Sequence, residues 1–241
     1  MRLNCILSTF AFILFFGIIA VFVLPSLVVY ILSSLFIKYP QDYFQSLASL
    51  IYKIFFTIFP TIKLHVKLLE KYPSNAVYVS THQSNLDYPI LGYFIKKYLI
   101  MTILPYKKIP FISLVGDLIG VRYLNRNSLD DISKIYSEFE ENLINGRNVI
   151  FFAEGTRQSG SKLGKFKKGA FRLAMKTNKP IIPIVINGTG NILPKGQFCF
   201  ASAKKEKVSV QMLEAIYPEN FKNEQELLIY THRLMQNCKN I

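Results

Sequence analysis

From Leu3 to Ile37 the chain carries no charged side chain, and no other feature restricts its fold as strongly. As one straight helix, those residues at about 1.5 Å each would extend roughly 52 Å, far beyond the hydrocarbon core of a bilayer, about 30 Å. Pro25 lacks the amide hydrogen that an interior helix position needs, so the run divides into Leu3 to Leu24 and Ser26 to Ile37. The second part is too short to span alone. The pattern predicts a membrane-embedded helical hairpin, or a spanning helix followed by an interfacial one. The next apolar run, "YFQSLASLIYKIFFTIFP", then continues along the membrane surface. A cleaved signal peptide fits less well, because the apolar run far exceeds an h-region of about 7–15 residues and no small-x-small cleavage site follows.

Composition changes after Pro60. Residues 61–241 hold 26 Lys+Arg against 14 Asp+Glu, which divides the chain into an anchoring segment, 1–60, and a basic globular domain, 61–241. A basic body on an apolar anchor suits an anionic bilayer face and anionic substrates. Nucleic acid is disfavoured as a partner, since no nucleic-acid motif appears and the anchor holds the domain at a membrane. Cys5, Cys199 and Cys238 are scattered, with no CxxC pair and no histidine at zinc spacing. Neither a disulfide framework nor a structural metal is indicated, which points to a reducing, cytosol-facing domain.

Within the globular part, "IKLHVKLL", "AVYVS", "LIMTIL", "NVIFF", "PIIPIVI" and "KVSVQML" read as strands, several of them apolar enough to be buried on both faces. Amphipathic helices are predicted over Leu86 to Lys97, Leu129 to Ile144, Lys167 to Thr177 and Glu224 to Met235. That alternation predicts an α/β fold with a largely parallel central sheet flanked by helices, its functional residues in loops beyond the carboxyl ends of the strands.

The loop after "AVYVS" reads "THQSNLDYP" and places His82 and Asp87 five positions apart. On an unbroken helix those positions lie about 140° apart, and on a strand they point to opposite faces, so the two side chains meet only across a turn. Polar "THQSN" supplies a turn, and Pro89 in the first turn of the following helix supports it. A structural alternative stands beside the catalytic one: Ser84 as N-cap with Asp87 three residues on resembles a capping box, in which Asp87 only bonds the backbone. His65 and His232 lie on a strand and a helix where no such meeting arises.

A second polar loop closes "NVIFF", with Glu154, Gly155, Thr156 and Arg157. Glycine lets backbone approach a ligand, and a guanidinium grips phosphate oxygens through paired hydrogen bonds. From Arg157 to Lys179 the chain has eight basic residues and no acidic one. Gly155-x4-Gly160-Ser161-Lys162 approaches a phosphate-binding loop of nucleotide hydrolases but lacks the Gly-Lys-Ser/Thr order.

Taken together, "THQSNLD" and "FFAEGTR" resemble the glycerolipid acyltransferase family, whose best-known members are the 1-acylglycerol-3-phosphate acyltransferases. "GVRYLNR" is similar to that family's Gly-x5-Arg box, assigning Gly120 and Arg126, and "PIIPIVI" to its Pro-centred apolar box, assigning Pro183. The likeness runs from Val77 to Pro194. Thr81, Ala153 and Gln158 stand where the family usually has Asn, Pro and Ser.

The resemblance implies a membrane-bound enzyme moving a fatty acyl group from acyl-CoA or acyl carrier protein to the sn-2 hydroxyl of 1-acylglycerol 3-phosphate, giving phosphatidic acid without cofactor or metal. Another lysophospholipid or glycerol 3-phosphate is the alternative acceptor, and a non-catalytic anionic-lipid adaptor the alternative class. An alcohol is a poor nucleophile until deprotonated, so His82 takes the role of general base, with Asp87 fixing its tautomer. Arg126 and Arg157 are the candidate phosphate ligands, beside Gly155 and Thr156. Glu154 either bonds the acceptor's glycerol hydroxyl or orients Arg157, and Pro183 lines an acyl pocket or packs a strand.

Overall fold

The computed structural model describes residues 27–58, 62–158, 160, 162–197, 199–201 and 206–239, with isolated positions between 6 and 21. Seven strands form one sheet: β1 (Ile62–Lys67), β2 (Val77–Ser80), β3 (Tyr98–Ile103), β4 (Val121–Leu124), β5 (Asn148–Phe152), β6 (Ile181–Asn187) and β7 (Glu206–Met212). Their spatial order is β1-β7-β6-β2-β5-β3-β4. The run β6-β2-β5-β3-β4 is parallel throughout, β7 is antiparallel to β6, and β1 pairs parallel with β7. The α/β reading with a mostly parallel sheet therefore holds, with one reversed pair of strands at an edge. β4 is the strand the sequence did not reveal: only four residues long, it lies inside the stretch matched as "GVRYLNR".

The helices are α1 (Gln41–Ile58), α2 (Asp87–Phe94), α3 (Pro110–Leu118), α4 (Leu129–Ile144), α5 (Gly169–Thr177), α6 (Thr189–Ile192) and α7 (Glu224–Lys239). Two hydrophobic cores lie on opposite faces of the sheet, and the strands divide residue by residue between them. Tyr78, Ile150 and Ile182 belong to one core, with Ile90 and Leu91 of α2. Val77, Val79, Val149, Phe151 and Ile181 belong to the other, with Phe139, Phe171 and Leu227 from α4, α5 and α7. Successive side chains of a strand point to opposite faces, so a strand covered on both sides must be apolar at every position. The unbroken apolar runs of β2, β5 and β6 meet that requirement.

Pro183 sits in the middle of β6, paired with Val79 of β2. A proline there removes a ladder donor. The ladder to β7 begins only at Ile184 and the bridge to Ile216 lies at Ile181, so Pro183 occupies the gap where no donor is required on that side. Its carbonyl accepts the Leu213 amide at 2.9 Å.

The reading of residues 1–60 meets a different outcome. Among the described residues no helix is long and apolar enough to cross a membrane. Most of Leu3 to Leu24, and the break at Pro25, lie outside the described residues. α1 is fastened to the sheet across the boundary read at residue 60. Buried Gln45 accepts the Tyr98 amide at 3.1 Å and donates to the carbonyls of Tyr98 and Ile119 at 2.7 and 3.0 Å. Asp42 pairs through both oxygens with the guanidinium of Arg147. Of the preceding helical residues, 27–34, Leu27 and Tyr30 pack on the Phe44 cluster. Val28, Ile31, Leu32, Leu35 and Phe36 stay exposed.

The cysteine reading is corrected at one position. Cys199 is disulfide-bonded, while Cys238 is free. Scattered spacing along the chain hid a contact made by folding, and cysteine usage no longer argues for a reducing compartment.

Candidate active site

Strands β2, β5 and β6 end side by side, so the loops that follow Ser80, Phe152 and Asn187 form one floor at the carboxyl edge of the sheet. The loop after β2 is pinned first. Thr81 Oγ1 donates to the Ile186 carbonyl at 2.9 Å and accepts its amide at 2.8 Å, and Ser84 Oγ donates to the Leu193 carbonyl at 2.8 Å. With both ends tied to the β6 side, the chain reverses over 81–86 and enters α2 at Asp87.

That reversal brings His82 and Asp87 together. Asp87 is fully buried and lies 2.9 Å from His82 Nδ1 through Oδ2. The same oxygen accepts the amides of Gln83 at 2.7 Å and Ser84 at 2.9 Å, and Oδ1 accepts the Thr189 hydroxyl at 2.6 Å. One side chain thus makes both the backbone bonds of the capping reading and the histidine contact that the catalytic reading requires. A carboxylate only accepts, so the hydrogen of this contact is on Nδ1, and in the neutral ring Nε2 keeps its lone pair. The ring is held flat against Phe152 at 3.9 Å and edge-on to Tyr88 at 5.7 Å. Burial pushes the Tyr88 phenol up to about 12, with the Asp87 charge adding to the effect, so it stays neutral and donates to Thr102 at 3.1 Å.

In the loop after β5, Gly155 adopts φ +68°, a conformation glycine accepts without strain, and its amide closes a tight turn on the Phe152 carbonyl at 2.9 Å. Glu154 turns inward and is 3% exposed. Its Oε1 accepts the His82 amide at 3.2 Å and its Oε2 the Gly164 amide at 2.7 Å. Each oxygen thus holds a backbone amide, so Glu154 braces the loop that carries His82, and it forms no ion pair with Arg157. The loop is closed from the other side by the Gln158 amide on the His82 carbonyl at 2.8 Å.

Arg157 is half-buried, and its guanidinium has no hydrogen bond or ion pair among the described residues. Its charge acts on Tyr88, the residue at the edge of the His82 ring. Arg126 is exposed and donates to the Gly155 carbonyl, which sets it at the rim of the same loop. Thr156 is exposed and accepts from Lys195 at 3.1 Å. Beside them opens a cleft of about 320 Å³ lined by Gln83, Gln158, Asn187, Asn191 and Lys195, among others.

Two residues read as part of the site stand apart from it. Gly120 precedes β4, at the opposite end of that strand from Arg126. With φ +85° and a Cβ position 2.8 Å from the Tyr98 carbonyl, it serves close backbone packing. Pro183 lies inside the sheet, below the loops. Conversely, Thr189 was missed, although its signal is present. "Asn187-Gly188-Thr189" ends the strand that neighbours β2, and Gly188 at φ +96° has no room for a side chain, with a Cβ position 2.3 Å from the Lys207 carbonyl.

The acyltransferase family profile matches residues 63–187. Over 167 residues the chain is 38% identical to the chloroplastic 1-acyl-sn-glycerol-3-phosphate acyltransferase LPAT1 of Arabidopsis thaliana, a match covering 67% of this chain and 46% of that protein. It is 29% identical over 178 residues to the 1-acyl-sn-glycerol-3-phosphate acyltransferase of Haemophilus influenzae, 69% of each chain. The chain thus spans about half the length of the plant relative it matches. The crystal structure of the 1-acyl-sn-glycerophosphate acyltransferase PlsC from Thermotoga maritima superposes with a TM-score of 0.79, covering 99% of this chain and 96% of that one. At 23% identity that likeness is one of fold.

Proposed function

Because the chain belongs to the acyltransferase family, we propose that it transfers a fatty acyl group from an acyl thioester to the free sn-2 hydroxyl of 1-acylglycerol 3-phosphate, yielding phosphatidic acid. The observation that carries this reading is the buried His82–Asp87 pair at 2.9 Å, with Nε2 unpartnered among the described residues and an unpaired guanidinium, Arg157, on the same floor.

Nε2 removes the proton of the acceptor hydroxyl as its oxygen attacks the thioester carbonyl. The imidazolium that forms is stabilised by Asp87, whose other bonds keep it from moving. The tetrahedral intermediate expels thiolate, which takes from Nε2 the proton that came from the acceptor hydroxyl. The attacking group belongs to the substrate, so no enzyme serine or cysteine takes part. Arg157 and Arg126 bind the acceptor phosphate at the rim formed by Gly155 and Thr156. Acyl-CoA and acyl carrier protein present the same reacting thioester, and both are anionic, as a basic approach surface prefers.

The enzyme works at a membrane, its anchor in residues 1–60 and its catalytic domain in 61–241. Exposed Val28, Ile31, Leu32, Leu35 and Phe36 before α1, and Leu50 and Ile54 on its outer side, support this placement. A bilayer concentrates both the lysolipid and its product at the site.

The test is acyl transfer by the full chain in phospholipid vesicles, with acyl-CoA and acyl carrier protein supplied separately and lysophosphatidic acid compared with unphosphorylated monoacylglycerol. Phosphatidic acid is the expected product. Equal or better use of the unphosphorylated acceptor contradicts the phosphate roles of Arg126 and Arg157.

A further inference from the structure

The side chains lining the cleft beside the catalytic loop are nearly all of one chemical kind. Gln83, Gln158, Asn187 and Asn191 present carboxamides, and Lys195 adds an ammonium. Among the described residues no carboxylate lines the cleft, and Pro194 is its only apolar side chain. An acyl chain would find little apolar surface there. The volume of about 320 Å³ lies within the range of small-molecule sites.

Its inner wall is fixed. Gln83 is buried, accepts the Gly188 amide at 3.0 Å and donates to Asn187 Oδ1 at 3.3 Å, which ties the loop after β2 to the loop after β6. Gln83 directly follows His82, and the Gln158 amide bonds the His82 carbonyl at 2.8 Å, so the cleft adjoins the base. The other carboxamides are not used up by the fold. Those of Gln158 and Asn191 make no hydrogen bond among the described residues, and Asn187 is bonded only through its oxygen. At the rim, Lys195 Nζ donates to Thr156 Oγ1 at 3.1 Å, which leaves two of its three N–H groups free. No carboxylate pairs with Lys195 among the described residues.

A carboxamide donates and accepts at once, and the group that matches it best is another amide. The lysolipid acceptor offers a phosphate, a hydroxyl and an ester, but no amide. The thioester donor does: in CoA and acyl carrier protein alike, the sulfur is carried on a pantetheine arm with two amides, and the arm ends in a phosphate. We propose that this cleft is the donor subsite, holding the pantetheine arm against Gln158, Asn187 and Asn191 and its phosphate at Lys195. The choice of ligand rests on the acyl-transfer reading. The acceptor phosphate stays with Arg126 and Arg157, so the two anionic groups of the reaction are held by different cations.

The test is kinetics of the full chain in phosphatidylcholine vesicles, with one acyl chain carried in turn on CoA, 4′-phosphopantetheine and pantetheine. Lys195 and Asn191 are both exposed, so replacing them spares the core. Lys195→Ala is expected to raise KM about 10-fold for the two phosphate-bearing donors, and to leave the pantetheine thioester and lysophosphatidic acid within about 2-fold. Lys195→Arg, which keeps the charge, must keep the preference for a phosphate. Asn191→Leu is expected to raise KM about 5-fold for all three donors, with acceptor KM unchanged. Thioether analogues of the donors cannot transfer, and their binding by calorimetry must follow the same order in wild type and variants. A wild-type chain that transfers no acyl group defeats the acyl-transfer reading, and calorimetry still decides the cleft. Three results overturn the proposal: no binding of the phosphopantetheine thioether by wild type, a Lys195→Ala effect on lysophosphatidic acid in place of the donor, or donors that respond alike with and without phosphate.

Discussion

Asp87→Asn removes a charge while keeping the shape of the carboxylate, and the hydrogen bonds at that position say what the change does. Three donors converge on Oδ2, from His82, Gln83 and Ser84, and one reaches Oδ1, from Thr189. In the variant the single amide oxygen takes the three-donor position, and the NH₂ faces Thr189, whose hydroxyl rotates to accept. The imidazole and the two amides keep their acceptor, and the buried Thr189 hydroxyl gives up the one it had at Oδ1. Bonds to a charged acceptor contribute about 1.5–3 kcal/mol and neutral ones about 0.5–1.5. The weakening over four bonds is partly offset by the easier desolvation of a neutral amide. A net loss of about 1–2 kcal/mol follows, a fall in Tm of roughly 2–6 °C. Catalysis suffers more: the imidazolium formed in the transition state has lost its counter-charge, and kcat is expected to fall by about 10²–10⁴. Asp87→Ala removes the acceptor of all four buried donors and costs roughly 3–6 kcal/mol. Thermal melting and phosphatidic acid formation in vesicles, measured on both variants, check the two halves. Asp87→Asn with more than a tenth of wild-type kcat means the carboxylate serves only the loop. Melting as early as Asp87→Ala refutes the bond assignment.

Arg157→Ala leaves nothing unpaired, so Tm should move by no more than about 1 °C, while KM for lysophosphatidic acid rises about 10-fold or more and use of monoacylglycerol is unaltered. Unchanged acceptor kinetics remove Arg157 from the site. In alkali, tyrosines decide stability: Tyr88 is pushed up to about 12, and Tyr78 and Tyr98 are also raised by burial. A phenol whose folded value lies above its unfolded value near 10 contributes stability in full below pH 10, and that contribution disappears as pH climbs toward 12. Urea unfolding should therefore hold steady to about pH 9 and weaken between 10 and 12, by up to about 2–3 kcal/mol for Tyr88, a share that Tyr88→Phe removes. A Tyr88→Phe curve that parallels wild type through that window contradicts the burial of the phenol.

Periodicity made much of this fold readable. β2, β5 and β6 are apolar at consecutive positions because both sheet faces are covered, and α4 begins and ends where its amphipathic pattern does. β4 escaped notice because four residues carry too little periodicity, and the reversed direction of β7 has no local signature at all. At the site, His82, Gly155 and Arg157 stand out in the sequence because each follows a strand end, and Asp87 because it opens the next helix five positions after His82. The bracing bonds of Glu154 had no sequence cue: direction within a turn depends on which amides need an acceptor, here those of His82 and Gly164, 72 and 10 positions away. Thr189 was missed although the Asn187-Gly188 turn before it marks a strand end. It meets Asp87, 102 positions away, only through tertiary packing.

The central claim is that the imidazole of His82 moves the proton in acyl transfer. Its most direct test is single-turnover formation of phosphatidic acid by His82→Ala in vesicles loaded with lysophosphatidic acid and a radiolabelled acyl thioester. The predicted variant still co-sediments with the vesicles and melts within a few degrees of wild type, yet forms product at least about 10³-fold more slowly. Turnover within about 10-fold of wild type would contradict the claim.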